Sequence, residues 1–411
     1  MNHISKSVHL IFAGLFLLWN NVTAQQFFPE GHYCNTQEGK DCKVCQALSA
    51  LKSMDHKQVI VVPHRGLWGA PGVPETSLKA VKEAYNAEYM FCEIDLVITK
   101  DKKVVLSHDM QLNRTTDAPP TFSTDGGTKD PGNFFRSLNW ATPTIGSVPD
   151  ENGDIYPTFP ALKDLHYKDR YGNVTEEKLN LFEEALDFCQ DKDIILALDI
   201  KATNLLSNVT IRHEYFEVIK IALEMAKSRN MLHKIIIKPG SSGQIIVSEL
   251  KNYLDSYGLW LDFSQHTNVI LINIIGIAFP LATNKDYLDA WLNIPSLIGV
   301  ELIYKDAKDG LITPNPDFGG ISIVQYTKQK GKKTGVFHPI PTDVSGTPGG
   351  RGQYYNPKNF GTLDDLRGNM EFLFGVPEVI FPGILVTDRP DVDMDFLSIF
   401  NLNSKYTKRN F

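Results

Sequence analysis

The sequence predicts an α/β protein: a (β/α)8 TIM barrel with two long βα loop insertions. Three observations lead there. Eight short apolar runs recur along the 411 residues, with helix-period segments between several of them. Several of these runs end in charged or hydrogen-bonding groups, as barrel strands do at the end where chemistry collects. The first run lacks the G-x-G-x-x-G turn that an open dinucleotide-binding sheet carries after its first strand.

The strands are expected at 59–66, 90–99, 194–200, 234–238, 268–277, 297–304, 332–338 and 383–387, with a shorter extended piece at 103–108 set aside as a hairpin arm. Helical periodicity marks 76–88, 179–190, 214–229, 243–257, 286–292 and 321–330. Two stretches, about 110–176 and 339–382, break the alternation and are rich in Gly, Pro, Asn and Asp. Each lies between a strand and the next element and is too short for a second core. Both are therefore expected to wall the C-terminal face of one catalytic domain spanning 57–411.

Residues 1–24 combine Lys6, an apolar stretch over 8–19 and a Val-Thr-Ala ending at Ala24, the pattern of a cleaved export signal. The mature chain is expected to begin near Gln25, to be secreted or periplasmic, and to keep no stable membrane anchor. The other long apolar run, 269–282, contains Asn273 and is too short for a bilayer, so a buried strand is expected. Export permits disulfides, and segment 25–56 holds Cys34, Cys42 and Cys45. A bridge from Cys34 to Cys42 or Cys45 is the first expectation, with a zinc site of these three and His32 as the alternative. Cys92 and Cys189 are expected in the core. Asn-x-Ser/Thr acceptors occur at Asn113, Asn173 and Asn208. A formal net charge of −7 argues against a broad electrostatic grip on nucleic acid.

Chemistry concentrates in three groups: His64-Arg65-Gly66 after the first strand, Glu93-Ile94-Asp95 on the second and His108-Asp109 after the hairpin arm. Alternation along a strand puts Glu93 and Asp95 on one side, about 7 Å apart. Two such carboxylates repel unless a cation lies between them, and a hard divalent ion bound by oxygens suits the place. Two histidines beside it could carry protons to and from a reacting group. Asp199 ends an apolar run where an unpaired charge would be costly, so a metal or a buried partner is expected near it. This is the outline of a metal-assisted phosphoryl or ester hydrolase, in which Arg65 and Lys201 could neutralise substrate charge, a role that for Arg65 can coexist with an ion pair to Glu75.

The segment 61–117 resembles the glycerophosphodiester phosphodiesterase family, in its phosphatidylinositol-phosphodiesterase-like, secreted form. The likeness rests on His-Arg-Gly, Pro74-Glu75-Thr76, Glu-x-Asp, Thr-Lys-Asp, His-Asp and Arg-Thr-Thr-Asp in order. It continues more weakly through Leu198-Asp199-Ile200-Lys201 and Val386-Thr387-Asp388-Arg389-Pro390. The resemblance implies a TIM barrel that hydrolyses small glycerophosphodiesters to an alcohol and glycerol phosphate with one divalent cation, Ca2+ or Mg2+. It implies that His64 and His108 are the general acid and base and that Glu93 and Asp95 are metal ligands. Asp199 holds the place of a third ligand, a glutamate in many relatives; the related spider-venom phospholipase D enzymes resemble this arrangement with an aspartate. Glu75 would support the first loop, followed here by Thr76 where relatives usually have Asn. The alternatives are a phospholipase D-like enzyme acting on lysophospholipid or sphingomyelin, and a non-catalytic barrel that binds a phosphorylated ligand. Trp68, Phe337, Tyr354 and Tyr355 could pack on a choline-like headgroup. Of the remaining histidines only His338 ends a predicted barrel strand.

Overall fold

A strand whose neighbours on both faces are apolar needs a covered sheet, and the Val- and Ile-rich runs of this chain find one. The computed structural model describes residues 28, 31–55, 58–118, 135–143, 159–201, 209–240, 245–274, 284–304, 308–338, 370–375 and 383–411. The export signal, Asn208, Tyr354 and Tyr355 lie outside them. The N-terminal helices are α1 (Gln37–Asp41) and α2 (Lys43–Lys52). Then come β1 (Ile60–Pro63), α3 (Leu78–Asn86), β2 (Phe91–Ile98), β3 (Val104–Leu106), β4 (His166–Lys168), β5 (Val174–Lys178) and α4 (Phe182–Cys189). The chain continues through β6 (Ile195–Ile200), α5 (Val209–Ser228), β7 (Ile235–Lys238), α6 (Val247–Asp255), β8 (Asn268–Ile274) and α7 (Lys285–Leu292). It ends with β9 (Leu297–Ile303), α8 (Ile323–Gln329), β10 (Lys333–His338), α9 (Met370–Gly375), β11 (Ile384–Thr387) and α10 (Pro390–Ile399).

The main sheet runs β1-β11-β10-β9-β8-β7-β6-β2-β3, and every neighbouring pair except β2–β3 is parallel. It curls until β1 approaches β2, which gives the expected (β/α)8 barrel with β3 as an antiparallel arm. No ladder joins β1 to β2 among the described residues. Gly66 N–H spans the seam near its top by donating to the Glu93 carbonyl at 2.8 Å. Below, the C-terminal tail fills it: Thr407 Oγ1 accepts from Val61 N–H at 3.1 Å and the Thr407 carbonyl accepts from Met90 N–H at 2.9 Å.

Alternation along the strands separates two cores. Ile60, Val62, Phe91, Ile195, Ile236, Ile270, Ile384 and Val386 fill the barrel, joined by Val44, Leu48 and Leu51 of α2. The intervening residues, among them Val61, Cys92, Ile94, Leu196, Leu198, Ile237 and Leu385, pack outward on the helices together with Cys189. Local chemistry starts these helices: Ser77 Oγ accepts Ala80 N–H at the head of α3, Ser322 and Gln325 form a capping box on α8, and Pro390 opens α10.

Cys34 is bonded to Cys45, so two of the four groups of the zinc alternative are consumed and that alternative falls. The first insertion holds more than loop. Its β4–β5 hairpin, with Phe135, Leu138, Leu162 and Tyr167, forms a small apolar cluster against Val97 and Val105, and Tyr167 donates its hydroxyl to the Leu106 carbonyl at 2.6 Å. Of the second insertion only α9 lies within the described residues. No helix among the described residues is long and apolar enough to cross a membrane.

Candidate active site

The turn after β1 is built around Gly66. Its φ is +81°, and a Cβ there would stand 2.6 Å from the Cβ of Ala80, so a side chain would drive α3 off the barrel. Arg65 (φ +59°) and Thr76 (φ +47°) also hold left-handed backbone, which is strained for non-glycine residues and persists where surrounding bonds fix it. Those bonds are present. Arg65 N–H donates to Glu93 Oε2 at 2.7 Å, Thr76 N–H donates to the Arg65 carbonyl at 2.9 Å, and Thr76 Oγ1 donates to Asp95 Oδ2 at 2.6 Å.

Glu93 and Asp95 take inward positions on β2, and Asp199 stands in register with Asp95 on the adjacent β6. One oxygen from each of the three lies within 4.8 Å of the others. Lys201 Nζ bridges two of them, 2.9 Å from Asp95 Oδ1 and 2.7 Å from Asp199 Oδ2. Burial, then the Asp95 charge, pushes the Glu93 carboxyl up to about 7. Burial pulls Asp95 the same way, but Lys201, His108 and Arg65 outweigh it and hold that carboxyl below the usual range. Lys201 is raised: burial opposes its charge, and Asp199 and Asp95 prevail.

These residues fit a hard divalent cation. Three carboxylates supply oxygen donors in a number that leaves room for water or substrate. Glu93 Oε1, fully buried, has no hydrogen-bond partner, an arrangement a carboxylate oxygen tolerates when it ligates a metal. Glu75, His108 and Asp109 also converge, but Arg114 ion-pairs with both Glu75 and Asp109 and Arg65 with Glu75, so two guanidinium groups already balance the two carboxylates.

Each of the two expected histidines is backed by a carboxylate. His64 follows β1, and its Nδ1 lies 2.7 Å from Asp388 Oδ1 at the end of β11, while Phe337 meets the ring edge-on at 4.6 Å between centroids. His108 Nδ1 lies 2.7 Å from Asp109 Oδ1. Asp109 is in turn held by Arg114 Nε at 2.6 Å, and Arg114 and Arg65 both grip Glu75. Burial, then Arg65 and Lys201, drives the His108 imidazole down to about 4. The Arg65–Glu75 ion pair weighed from the sequence is present, with Arg65 Nη1 3.1 Å from both Glu75 oxygens.

Comparison with known sequences settles the lineage. The Glycerophosphoryl diester phosphodiesterase family pattern matches residues 64–328, more than half of the chain. The protein belongs to that family. It is 37% identical over 73 residues to Glycerophosphodiester phosphodiesterase 1 of Homo sapiens, 18% of this chain and 21% of that one. To Glycerophosphodiester phosphodiesterase of Bacillus subtilis it is 39% identical over 59 residues, 14% of this chain and 20% of that one. The chain thus spans about a fifth of the length of these two relatives. The crystal structure of a Glycerophosphoryl diester phosphodiesterase from Parabacteroides distasonis is similar in fold, with a TM-score of 0.51 and 16% identity over 89% of this chain and 95% of that one.

Within this phosphodiesterase framework several residues acquire partners whose role is not readable from the sequence alone. Asp388 stands there only as part of a motif, and its contact with His64 follows from barrel closure, which sets the end of β11 beside β1. The same holds for Asp109 and Arg114, which stand there only within motifs. Lys238 and Glu301 carried no signal beyond a charge inside an apolar run. His338 does not join the site: its Nδ1 lies 2.7 Å from Asp393 Oδ2 on α10. The ring of Trp68 is already approached by the Arg170 guanidinium, 5.8 Å from its centroid.

Proposed function

We propose that this protein hydrolyses glycerophosphodiesters to an alcohol and glycerol 3-phosphate, assisted by one divalent cation, Ca2+ or Mg2+, on Glu93, Asp95 and Asp199. What carries the reading is the meeting of two carboxylate-backed histidines with three clustered carboxylates at the C-terminal ends of the strands, where barrel enzymes place their chemistry.

A phosphodiester resists attack because its charge repels nucleophiles, so the site must neutralise charge and move protons. When bound, the cation would draw charge from the phosphoryl oxygens. Lys201 adds a fixed positive charge beside it, and Arg65 contributes more remotely because its guanidinium is shared with Glu75. In each histidine Nδ1 faces a carboxylate, which orients the ring and leaves Nε2 for the substrate. One Nε2 takes the proton of the attacking hydroxyl, from water or from the substrate's own neighbouring alcohol. The other gives a proton to the departing oxygen as the P–O bond breaks. The products are then an alcohol and either glycerol 3-phosphate or a cyclic phosphate that water opens.

Work outside the cytoplasm is part of the proposal and is supported by the Cys34–Cys45 bond, since such bonds persist in oxidising compartments. The test of activity is glycerol 3-phosphate release from a panel of glycerophosphodiesters, with and without chelator. Chelator-sensitive release restored by Ca2+ or Mg2+ is expected. No release from any panel member with either ion present would overturn the proposal.

A further inference from the structure

Two charges inside the barrel have no part in the chemistry above. Lys238 ends β7 and Glu301 lies within β9, with β8 between them. Both point inward: Ile236 precedes Lys238 on the interior face, while Val300 and Leu302 on either side of Glu301 pack outward. Lys238 Nζ lies 3.0 Å from Glu301 Oε2 and 3.9 Å from Glu93 Oε1, and Lys238 and Glu301 are 2% and 3% exposed. Barrel interiors are filled in layers drawn from alternate strands, mostly with branched hydrocarbon side chains. Counting around the sheet, β2, β7 and β9 alternate, so Glu93, Lys238 and Glu301 replace three members of such a layer with charges. Stability does not explain the choice, because buried ion pairs are commonly replaced by hydrocarbon with no loss.

We propose that Glu301 is a positioning residue that holds the Lys238 ammonium off Glu93, keeping Glu93 Oε1 open to the divalent cation. Glu93 Oε2 already accepts Arg65 N–H at 2.7 Å, whereas the buried Oε1 has no hydrogen-bond partner and is the oxygen more open to a cation. Lys238 stands within ion-pair range of that oxygen but beyond hydrogen-bond reach, and its close contact is with Glu301. Without the Glu301 charge, a small movement of a flexible ammonium would seat it on Oε1 in place of the metal. The inference rests on the cation-assisted reading above.

The test is calorimetric titration of the intact protein with CaCl2 and MgCl2, comparing wild type, E301Q and K238M/E301M, with circular dichroism to confirm folding. E301Q is expected to weaken ion binding by at least about tenfold, in the range seen when residues supporting a metal ligand are changed. K238M/E301M removes the competitor along with its keeper and is expected to bind within a few-fold of wild type. Wild-type affinity in a folded E301Q, or a double variant as weak as E301Q, overturns the inference while leaving the cation-assisted reading in place. A wild type that binds neither ion overturns both. If E301Q does not fold, E301D, whose carboxylate is drawn back by one methylene, is expected to weaken binding severalfold, and unchanged affinity overturns the inference.

Discussion

Thr76 donates a 2.6 Å hydrogen bond to Asp95 from a backbone held at φ +47°. A left-handed backbone costs an L-residue about 1–2 kcal/mol, and asparagine tolerates it better than a β-branched side chain. An asparagine at this place would thus be the less strained choice, while the threonine hydroxyl gives Asp95 its donor. T76V keeps the shape, leaves Asp95 Oδ2 without this bond and is expected to cost about 1–3 kcal/mol in urea denaturation. T76N loses the same hydroxyl but relieves the strained backbone, and is expected to be about 1 kcal/mol more stable than T76V. If T76N is no more stable than T76V, the strain argument is wrong.

The histidine pair gives the sharpest kinetic expectation. H64A and H108A are each expected to lower kcat by about 10²–10⁴ with circular dichroism unchanged. D388N preserves size but cannot favour the same ring tautomer of His64, and a loss of up to about 10⁴ is expected. Near-normal turnover in both alanine variants would remove the histidines from the chemistry.

The barrel was legible because its signal is periodic. Each of the eight apolar runs became a strand within a few residues of its expected bounds, since a strand buried on both faces must be apolar nearly throughout. Glu93, Asp95 and Asp199 were legible for the converse reason, as charges set into such runs. Asp388 was not assignable, because its contact with His64 joins residues 324 apart and exists only when the barrel closes. The Lys238–Glu301 pair was hidden in the same way: each looks like an isolated charge until the interior brings β7 and β9 face to face. The apolar cluster of the first insertion escaped notice because its members are spread singly among polar residues.

The seam between β1 and β2 makes the C-terminal tail structural. Val61 and Met90 N–H groups, which a neighbouring strand would otherwise accept, are both received by Thr407. T407V removes only the side-chain acceptor and leaves Val61 N–H buried and unmet, so a loss of about 1–3 kcal/mol is expected. Deleting residues 401–411 removes both acceptors along with the Leu402 carbonyl that receives Val59 N–H at 2.7 Å, and should cost more than T407V. Thermal unfolding of the two variants checks the order; equal melting temperatures for wild type and T407V would show that water meets Val61.

Cation binding should be coupled to a proton at Glu93. With its carboxyl pushed up to about 7 by burial and Asp95, Glu93 is largely protonated at pH 6 in the metal-free protein, and a cation needs it ionised. Binding at pH 6 should therefore release close to one proton, and affinity should fall by up to about tenfold for each unit below pH 7, levelling off above pH 8. Two neighbours do not blur this window. Lys201 and other cations hold Asp95 ionised throughout it, and His108, driven down to about 4, is already neutral. Calorimetry at pH 6 in two buffers of different ionisation enthalpy counts the released protons directly. A count near zero at pH 6, with the ion bound, would mean that Glu93 is ionised before the cation arrives and that Lys238 outweighs burial there.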